Sequence, residues 1–196
     1  MARKRPVKTL GQRKWKGKEW YTILVPKFLG NVEIGETPAD EPERIIGRTV
    51  EVSLFELVND PVRYYLTLIF KVDGVNGTRA STRYFGHYCT RDFISRIVQK
   101  RMGRIDTNEV FEFKDGRMRI KTITVTQGRV CYNVKKSIRK FINEFLKNYA
   151  KEKKIEDFVK DMITGSLQQS IIKKIKKIHP IRVFEFHKTH VTEYAG

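Results

Sequence analysis

A stretch of 24 residues, from Thr82 to Ile105, combines six Arg or Lys side chains and four aromatic ones with a single acid, Asp92. Guanidinium groups form paired hydrogen bonds with phosphate, and aromatic rings stack on bases. Arg outnumbers Lys five to one there, although Lys would serve solubility alone. The stretch is therefore predicted to contact nucleic acid, through Arg83, Arg91, Arg96, Lys100, Arg101 and Arg104.

Three further groups of basic residues are predicted to bind phosphate. Residues 1–18 hold eight basic side chains and no acid, and their Pro and Gly residues oppose a continuous helix, so they form a basic arm. A nuclear address or a solubilising tail is the alternative for this arm. The second group alternates along one strand face and the third crowds the end of a C-terminal helix. The candidates are Arg3, Lys4, Arg5, Lys8, Arg13, Lys14, Lys16 and Lys18 in the arm, Arg117, Arg119 and Lys121 on the strand, and Lys173, Lys174, Lys176 and Lys177 on the helix.

Three aromatic residues interrupt or follow the basic arm. Trp15 lies among the basic residues and is a candidate for stacking on a base or ribose. Trp20 and Tyr21 are expected to enter the core with the strand "YTILVP", which Pro26 ends.

Catalytic and metal-binding arrangements are not predicted. His87 and Cys89 are two residues apart on a strand end, which does not orient a base toward a nucleophile, and His87 is expected to be buried and hydrogen-bonded. His187 and His190 have no clear third ligand, so they make a poor zinc site. Nucleophile motifs such as GxSxG and Gly-rich phosphate loops are absent from the sequence. We expect no enzyme, no metal and no cofactor.

The net charge limits the class of partner. The 196 residues contain 40 Lys or Arg and 22 Asp or Glu, a formal charge of +18, so the chain should seek a polyanion. An anionic membrane is disfavoured as that partner, since no window approaches 18 consecutive apolar residues. Cys89 and Cys131 are expected to be buried, reduced thiols of a cytoplasmic protein.

Residues 31–60 have the opposite charge, because eight acids there accompany two arginines. Within them "GETPADEP" has the composition of a loop. Phosphate would repel such a segment, so it is expected to face solvent or a basic protein neighbour. Its acids are Glu33, Glu36, Asp40, Glu41, Glu43, Glu51, Glu56 and Asp60.

The elements that must position these residues are mainly strands. "YYLTLIFKVDG" places Leu66, Leu68, Phe70 and Val72 on one face, and after a Gly- and Asn-bearing turn "TRASTRYFGH" completes a hairpin. "NEVFEFKDG" and "RMRIKTITVTQ" form a second hairpin, and "IRVFEFHK" is a final strand. Together with "YTILVP" and "RTVEVSL" they make six or seven strands, mostly antiparallel and closing toward a barrel.

Helices are predicted around this sheet. One begins at Arg91 after Thr90 and turns Phe93, Ile94, Ile97, Val98 and Met102 inward, with Gly103 ending it. In it Asp92, Arg96 and Lys100 follow one another on the outer side, with Asp92 pairing Arg96. Two further helical regions start near Val134 and Asp157, and Gly165 breaks the second. The prediction is an α+β fold, a mostly antiparallel β-barrel with flanking helices and a basic N-terminal extension. We divide it into an arm at 1–18, one globular domain at 19–190 and a tail at 191–196.

Five motifs in order carry a resemblance to a known family: "WKGKEWYTILVPKFL", "IGETP", "IIGRTVEVSLFEL", "STRYFGHYCTRDFISRIVQKRMGRID" and "IHPIRVFEFHK". From about Trp15 to Lys188 the chain resembles the small-subunit ribosomal proteins shared by archaea and eukaryotes, called S3Ae in the older naming and eS1 in the unified one. The resemblance implies a β-barrel with flanking helices, bound to small-subunit ribosomal RNA on the platform near the messenger exit, without enzymatic activity. The C-terminus soon after "HKTHVTEYAG" fits an archaeal member.

The resemblance supplies no compact RNA-contact motif, so the candidate residues above rest on charge patterning alone. The predicted function is a structural constituent of the cytoplasmic small ribosomal subunit, with ribosomal RNA, neighbouring ribosomal proteins and messenger RNA near the exit as partners and no membrane. The alternative is a non-ribosomal regulator of translation that binds single-stranded RNA, and it requires Trp15, Tyr84 or Tyr88 at the RNA surface.

Overall fold

A computed structural model describes residues 17–58 and 61–194. These residues form a mixed α+β structure, as predicted, with eight strands and five α-helices. The strands are β1 Glu19–Leu24, β2 Glu33–Ala39, β3 Thr49–Ser53, β4 Leu66–Asn76, β5 Arg79–Cys89, β6 Gly103–Phe113, β7 Gly116–Thr126 and β8 Ile181–Tyr194. The helices are α1 Leu54–Val58, α2 Arg91–Ile97, α3 Tyr132–Glu152, α4 Ile155–Thr164 and α5 Ser166–Ile175.

The strands pair in the order β2-β1-β5-β8-β7-β6, and β4 pairs with both β3 and β5. The β1–β5 pair is parallel, whereas β1–β2, β5–β8, β6–β7 and β7–β8 are antiparallel. Within residues 17–58 and 61–194, no pairing joins β2 to β6 at the two ends of this order. The sheet is therefore open there, and closure into a barrel is not confirmed.

The chain divides into two compact units. The first unit comprises residues 1–49, described from residue 17, together with 71–83, and the second comprises residues 50–70 and 84–196. The long hairpin β4–β5 contributes residues to both units. Its period-2 pattern is confirmed, since Leu66, Leu68, Phe70 and Val72 are all buried on one face.

The first unit contains the β1–β2 ribbon, and two predictions were wrong there. Part of "GETPADEP", predicted as a loop, belongs to β2, in which Pro38 lies opposite Trp20 of β1. Pro is tolerated because β2 ends the strand order, so one side of its backbone needs no ladder partner. Tyr21 is buried as predicted, but Trp20 is 58% exposed, because successive side chains of a strand point to opposite faces.

The second unit is built on the hairpin β6–β7, whose eleven residue pairs run without a register shift from Gly103–Thr126 to Phe113–Gly116. Strand β8 pairs antiparallel with the other edge of β7. One face of these strands carries helices α3, α4 and α5: the Phe158 ring of α4 lies 5.6 Å from Phe113 and 5.2 Å from Phe186, and α5 contacts α3, α4 and β8. We call this the helix-covered face and the opposite one the outer face.

Helix α2 is shorter than predicted. It ends at Ile97, and Val98 has an extended backbone that leads into a turn, so Lys100 is not on the helix. Gly103 is the first residue of β6 rather than a helix terminator, and Arg101 has a left-handed φ of 67° in the connecting turn. The inward apolar set is nevertheless confirmed, since Phe93, Ile94, Val98 and Met102 pack with buried Ile97.

The two cysteines differ in exposure, although both were predicted to be buried. Cys89 is buried and donates a hydrogen bond to the Phe186 carbonyl oxygen over 3.2 Å, whereas Cys131 precedes α3 and is exposed. Burial and the nearby Glu185 carboxylate raise the pKa of Cys89. The thiol of Cys89 is therefore both inaccessible and protonated.

We expect the folded chain to react with one equivalent of a maleimide at neutral pH, at Cys131. Mass spectrometry of the labelled chain measures this. Cys131→Ser should abolish the reaction until the chain is unfolded in denaturant, when Cys89 becomes accessible. Labelling of folded Cys131→Ser at the rate of a free thiol would contradict the burial of Cys89.

Gly86 of β5 lies opposite His190 of β8. A Cβ atom at Gly86 would lie 2.4 Å from the Thr189 carbonyl oxygen, a backbone atom that cannot rotate away. We expect Gly86→Ala to lower the free energy of unfolding by roughly 1–3 kcal/mol, as overpacking does, measured by urea denaturation. Gly74→Ala is the control, because its Cβ would meet only the Ser81 hydroxyl at 3.5 Å. Equal losses in both variants would refute the steric account.

Candidate nucleic-acid interface

Strand β7 carries two kinds of side chain along its outer face. Alternate residues of a strand share a face, so Arg117, Arg119, Lys121, Ile123 and Val125 follow one another there. The two arginines are exposed and Lys121 is half-buried, whereas Ile123 and Val125 are completely buried. The predicted basic strand face is thus present, and it changes to an apolar face within the same strand.

Helix α2 covers the apolar half. Its Ile97 is buried against Ile123 and Val125, with Phe93 and Val183 packed around them. The Phe93 ring also stacks on Tyr65, with centroids 3.7 Å apart and planes 4° apart. This packing places α2 beside the basic half of β7, on the same face of the sheet.

The solvent side of α2 carries Arg91 and Arg96, both exposed. Arg96 was predicted to pair with Asp92, but its guanidinium donates a hydrogen bond to the Tyr64 hydroxyl and lies 5.6 Å from the centroid of that ring. A guanidinium held over an aromatic ring keeps its charge and loses side-chain freedom. The structure thus brings two of the predicted clusters, α2 and β7, together on the outer face.

Neighbouring strands add further basic residues to the outer face. Lys188 of β8 lies opposite Lys121, and His190 lies opposite Arg119. Arg104 of β6 lies opposite Val125 and forms an ion pair with Asp106 at 2.9 Å. Lys188 was not predicted as a contact; the alternation of "IRVFEFHK" was the available signal, but a bulge between Lys121 and Thr122 shifts its register.

The histidines on β8 report the local potential. Burial lowers the pKa of His187, and the neighbouring Arg104 lowers it further against the opposing effect of Asp106. Burial also lowers the pKa of His190, and the positive charges of Lys188 and Arg119 lower it further. Both imidazoles are therefore neutral at pH 7, and the positive potential that opposes their protonation would favour a phosphate.

Arg117 differs from the other basic residues of β7. Its guanidinium lies 3.3 Å from a Glu112 carboxylate oxygen on one neighbouring strand and 3.8 Å from Glu193 on the other. Two carboxylates beside one guanidinium compensate its charge locally. The cationic surface consequently starts at Arg119, and we define the outer basic face as Arg104, Arg119, Lys121 and Lys188 with Arg91 and Arg96 of α2.

The remaining candidates lie elsewhere. Arg83 belongs to the first unit and forms an ion pair with Asp73 at 2.5 Å. Lys100 and Arg101 are exposed in the turn after α2, and Lys18 is half-buried at the start of the described chain. The lysines at the end of α5 are exposed in the helix layer, so they do not join the outer basic face, and Lys174 lies 4.6 Å from the Phe145 ring. The candidates outside the described residues are Arg3, Lys4, Arg5, Lys8, Arg13, Lys14, Trp15 and Lys16.

His87 has a structural environment rather than a catalytic one. It is fully buried, and its Nε2 donates to the Phe186 carbonyl oxygen over 2.9 Å. Its Nδ1 accepts from a hydroxyl, with that of Thr189 at 2.7 Å and that of Tyr84 at 3.1 Å. Burial lowers the pKa of His87 to about 4, with the Phe186 hydrogen bond opposing that shift. The expectation of a buried, hydrogen-bonded histidine is confirmed.

Two features are absent from residues 17–58 and 61–194. No helix in this part of the chain is long and apolar enough to cross a membrane. No group of three or more His, Cys, Asp or Glu side chains is arranged there to hold a metal ion.

A strand face of this charge, flanked by an arginine-bearing helix, has the chemistry expected of a nucleic-acid-binding protein. The model of the Ribosomal S3Ae family matches residues 7–195, and the chain belongs to this family. The resemblance stated from the five sequence motifs is therefore confirmed.

The chain aligns with curated relatives over most of their length. The protein of Methanopyrus kandleri is 37% identical over 92% of this chain and 88% of its own length. That of Sulfurisphaera tokodaii is 38% identical over 93% of this chain and 95% of its own length. That of Methanospirillum hungatei is 36% identical over 97% of this chain and 96% of its own length. Each is named "Small ribosomal subunit protein eS1". These relatives are archaeal, as predicted for this chain.

The buried His87 should make folding sensitive to pH. Its folded pKa lies below the ordinary value of 6.5, so the unfolded chain binds more protons between about pH 4 and 6.5, and stability falls as the pH falls through that window. From pH 7 to pH 5 the loss due to His87 should be about 2 kcal/mol. Urea denaturation at a series of pH values measures it.

His87→Gln should flatten this dependence, because an amide can donate to the Phe186 carbonyl oxygen without titrating. The unsubstituted chain, measured over the same pH series, is the reference. An unchanged pH dependence in His87→Gln would contradict the assignment to the buried imidazole.

Proposed function

We propose that this chain is a structural constituent of the small ribosomal subunit that binds ribosomal RNA through the outer basic face of its second unit. Membership of a ribosomal protein family supports the location in the ribosome and makes ribosomal RNA and neighbouring ribosomal proteins its partners. The observation that supports an RNA-binding surface is the packing of α2 on β7, because it leaves six cationic side chains from four elements on one face of the sheet.

The distribution of charge supports this assignment. Residues 50–70 and 84–196, the second unit, hold 26 Lys or Arg and 15 Asp or Glu. The part of the first unit that starts at residue 17 holds seven of each and is neutral. Residues 1–16 add seven basic side chains and no acid. The electrostatic free energy for binding a polyanion therefore comes from the second unit and the N-terminal residues.

The mode of binding follows from the chemistry of the outer basic face. Arg and Lys side chains on a sheet and a short helix neutralise phosphates and release counterions, and they recognise the shape of folded RNA rather than its bases. The basic arm at 1–18 extends this contact by lying between RNA helices, and the lysines at the end of α5 form a second contact. We place the chain on the platform near the messenger exit, where messenger RNA is a further partner.

We divide the chain at 18 and 190 into a basic arm, one globular domain and a short tail. The chain acts as a structural component rather than an enzyme, consistent with its family. The alternative, a free regulator that stacks single-stranded RNA on its aromatic residues, is less well supported. Tyr84, one of the three residues it requires, is 2% exposed, and the hydroxyl of half-buried Tyr88 donates to Glu51 over 2.7 Å.

The first test is co-migration of the chain with small subunits in a sucrose gradient, followed by washes at rising salt. We expect stoichiometric migration that only high salt removes, because many phosphate contacts must be broken together. Migration at the top of the gradient would contradict the proposal.

The second test locates the RNA-binding surface by substitution. Arg119→Ala combined with Lys121→Ala should release the chain at lower salt and reduce the slope of log affinity against log salt by about one per lost phosphate contact, measured by filter binding to ribosomal RNA. Arg117→Ala is the matched control on the same strand face, and it should change little because Glu112 and Glu193 already compensate that charge. Equal effects of the control and the double variant would place the RNA elsewhere.

A further inference from the structure

The β1–β2 ribbon of the first unit has one buried face and one open face. Tyr21, Ile23 and Ala39 are each less than 5% exposed and hold the ribbon to the core of its unit. Trp20 alternates with them, and its partner across the ribbon is Pro38. The buried side chains Tyr21 and Ile23 already anchor β1 to its unit, so packing does not require the large, exposed Trp20.

The open face is acidic as well as aromatic. Thr22 shares this face with Trp20, and Glu36 lies opposite Thr22, so its carboxylate is the diagonal neighbour of the indole. Residues 33–43 hold five acids, all exposed. Of the two basic residues that follow, Arg44 is engaged by Asp40 at 3.3 Å and Glu41 at 3.2 Å, and Arg48 donates to the Thr37 hydroxyl and the Pro38 carbonyl oxygen. Arg79, opposite Thr22 on β5, contributes one positive charge.

This combination disfavours RNA as the occupant of the open face. A base could stack on Trp20, but its phosphates would then lie beside the carboxylates of residues 33–43. The same carboxylates attract Lys and Arg, and an indole is the best aromatic partner for a cation. Charge complementarity thus selects a basic polypeptide.

We infer that the open face of β1–β2, centred on Trp20 and Glu36, is a docking surface for a Lys- and Arg-rich segment of a neighbouring protein in the small subunit. This inference rests on the proposed function and names the chemistry of one partner. A guanidinium or ammonium group of the segment lies over the Trp20 ring, and its other cations face Glu36 and the acids that follow. Pro38 contributes apolar surface beside the indole.

The test places the photo-reactive amino acid p-benzoylphenylalanine at position 20 of the full-length chain, in place of Trp20. Subunits that contain this chain are isolated on a gradient, irradiated, and the cross-linked product is identified by mass spectrometry. We expect a cross-link to a peptide rich in Lys and Arg. A cross-link to ribosomal RNA, or none above background, would overturn the inference.

The same amino acid at position 110 is the matched control, because Val110 is also exposed and lies opposite Arg119 on the outer face. There the proposed function predicts a cross-link to RNA. Absence of both labelled chains from the subunit fraction would overturn the proposed function and this inference with it. Presence of both, with RNA cross-linked at each position, would overturn the inference alone.

A charge variant separates docking from mere proximity. Glu36→Lys should reduce the yield of the protein cross-link at position 20 several-fold, because a cation then lies where the segment needs an anion. Glu152→Lys makes the same change at an exposed position on α3 in the second unit and should leave the yield unchanged. Equal yields in the two variants would show that acids do not hold the segment, and would refute the docking surface.

Discussion

The alternation of side chains along β7 is the constraint on which the second unit depends. Every residue of a strand must point to one face or the other, so a single strand can serve a core on one side and a ligand surface on the other. The outer face of β7 itself has both roles. Its buried Ile123 and Val125 lie beneath α2, and its cationic Arg119 and Lys121 lie beyond the helix. The apolar half fixes the helix, and the fixed helix carries Arg91 and Arg96 on the same face of the sheet as the cationic half. Packing and electrostatics thus share one periodic pattern.

Much of this arrangement could be predicted because periodicity is local. The two long hairpins, the inward face of α2 and the helices on either side of Gly165 each follow from residues a few positions apart. Even the buried, hydrogen-bonded state of His87 could be inferred, since neither a nucleophile nor a metal ligand stood beside it in a useful geometry. The α+β class and the family followed from the order of these local patterns.

The features that could not be predicted depend on contacts between distant residues. "GETPADEP" has a loop composition, but pairing with β1 makes most of it a strand, and the same pairing turns Trp20 outward. Glu112 is near Arg117 in sequence, but Glu193 is 76 positions away, so their joint compensation of one guanidinium is not visible in the sequence. Arg96 likewise contacts Tyr64 rather than the nearer Asp92. In each case a contact with a residue distant in sequence determined the structure, and the local sequence had indicated a different one.

Arg117, held between carboxylates from two neighbouring strands, has a consequence for the course of any bound RNA strand. A polyanion that follows the cations of the outer basic face reaches a point at which the surface offers no net attraction. Beyond it, further phosphates would gain nothing and would meet two glutamates. On the proposed interface Arg117 would thus mark an electrostatic terminus, the point at which a bound backbone would leave the sheet, and the positive patch would become a track with a defined end.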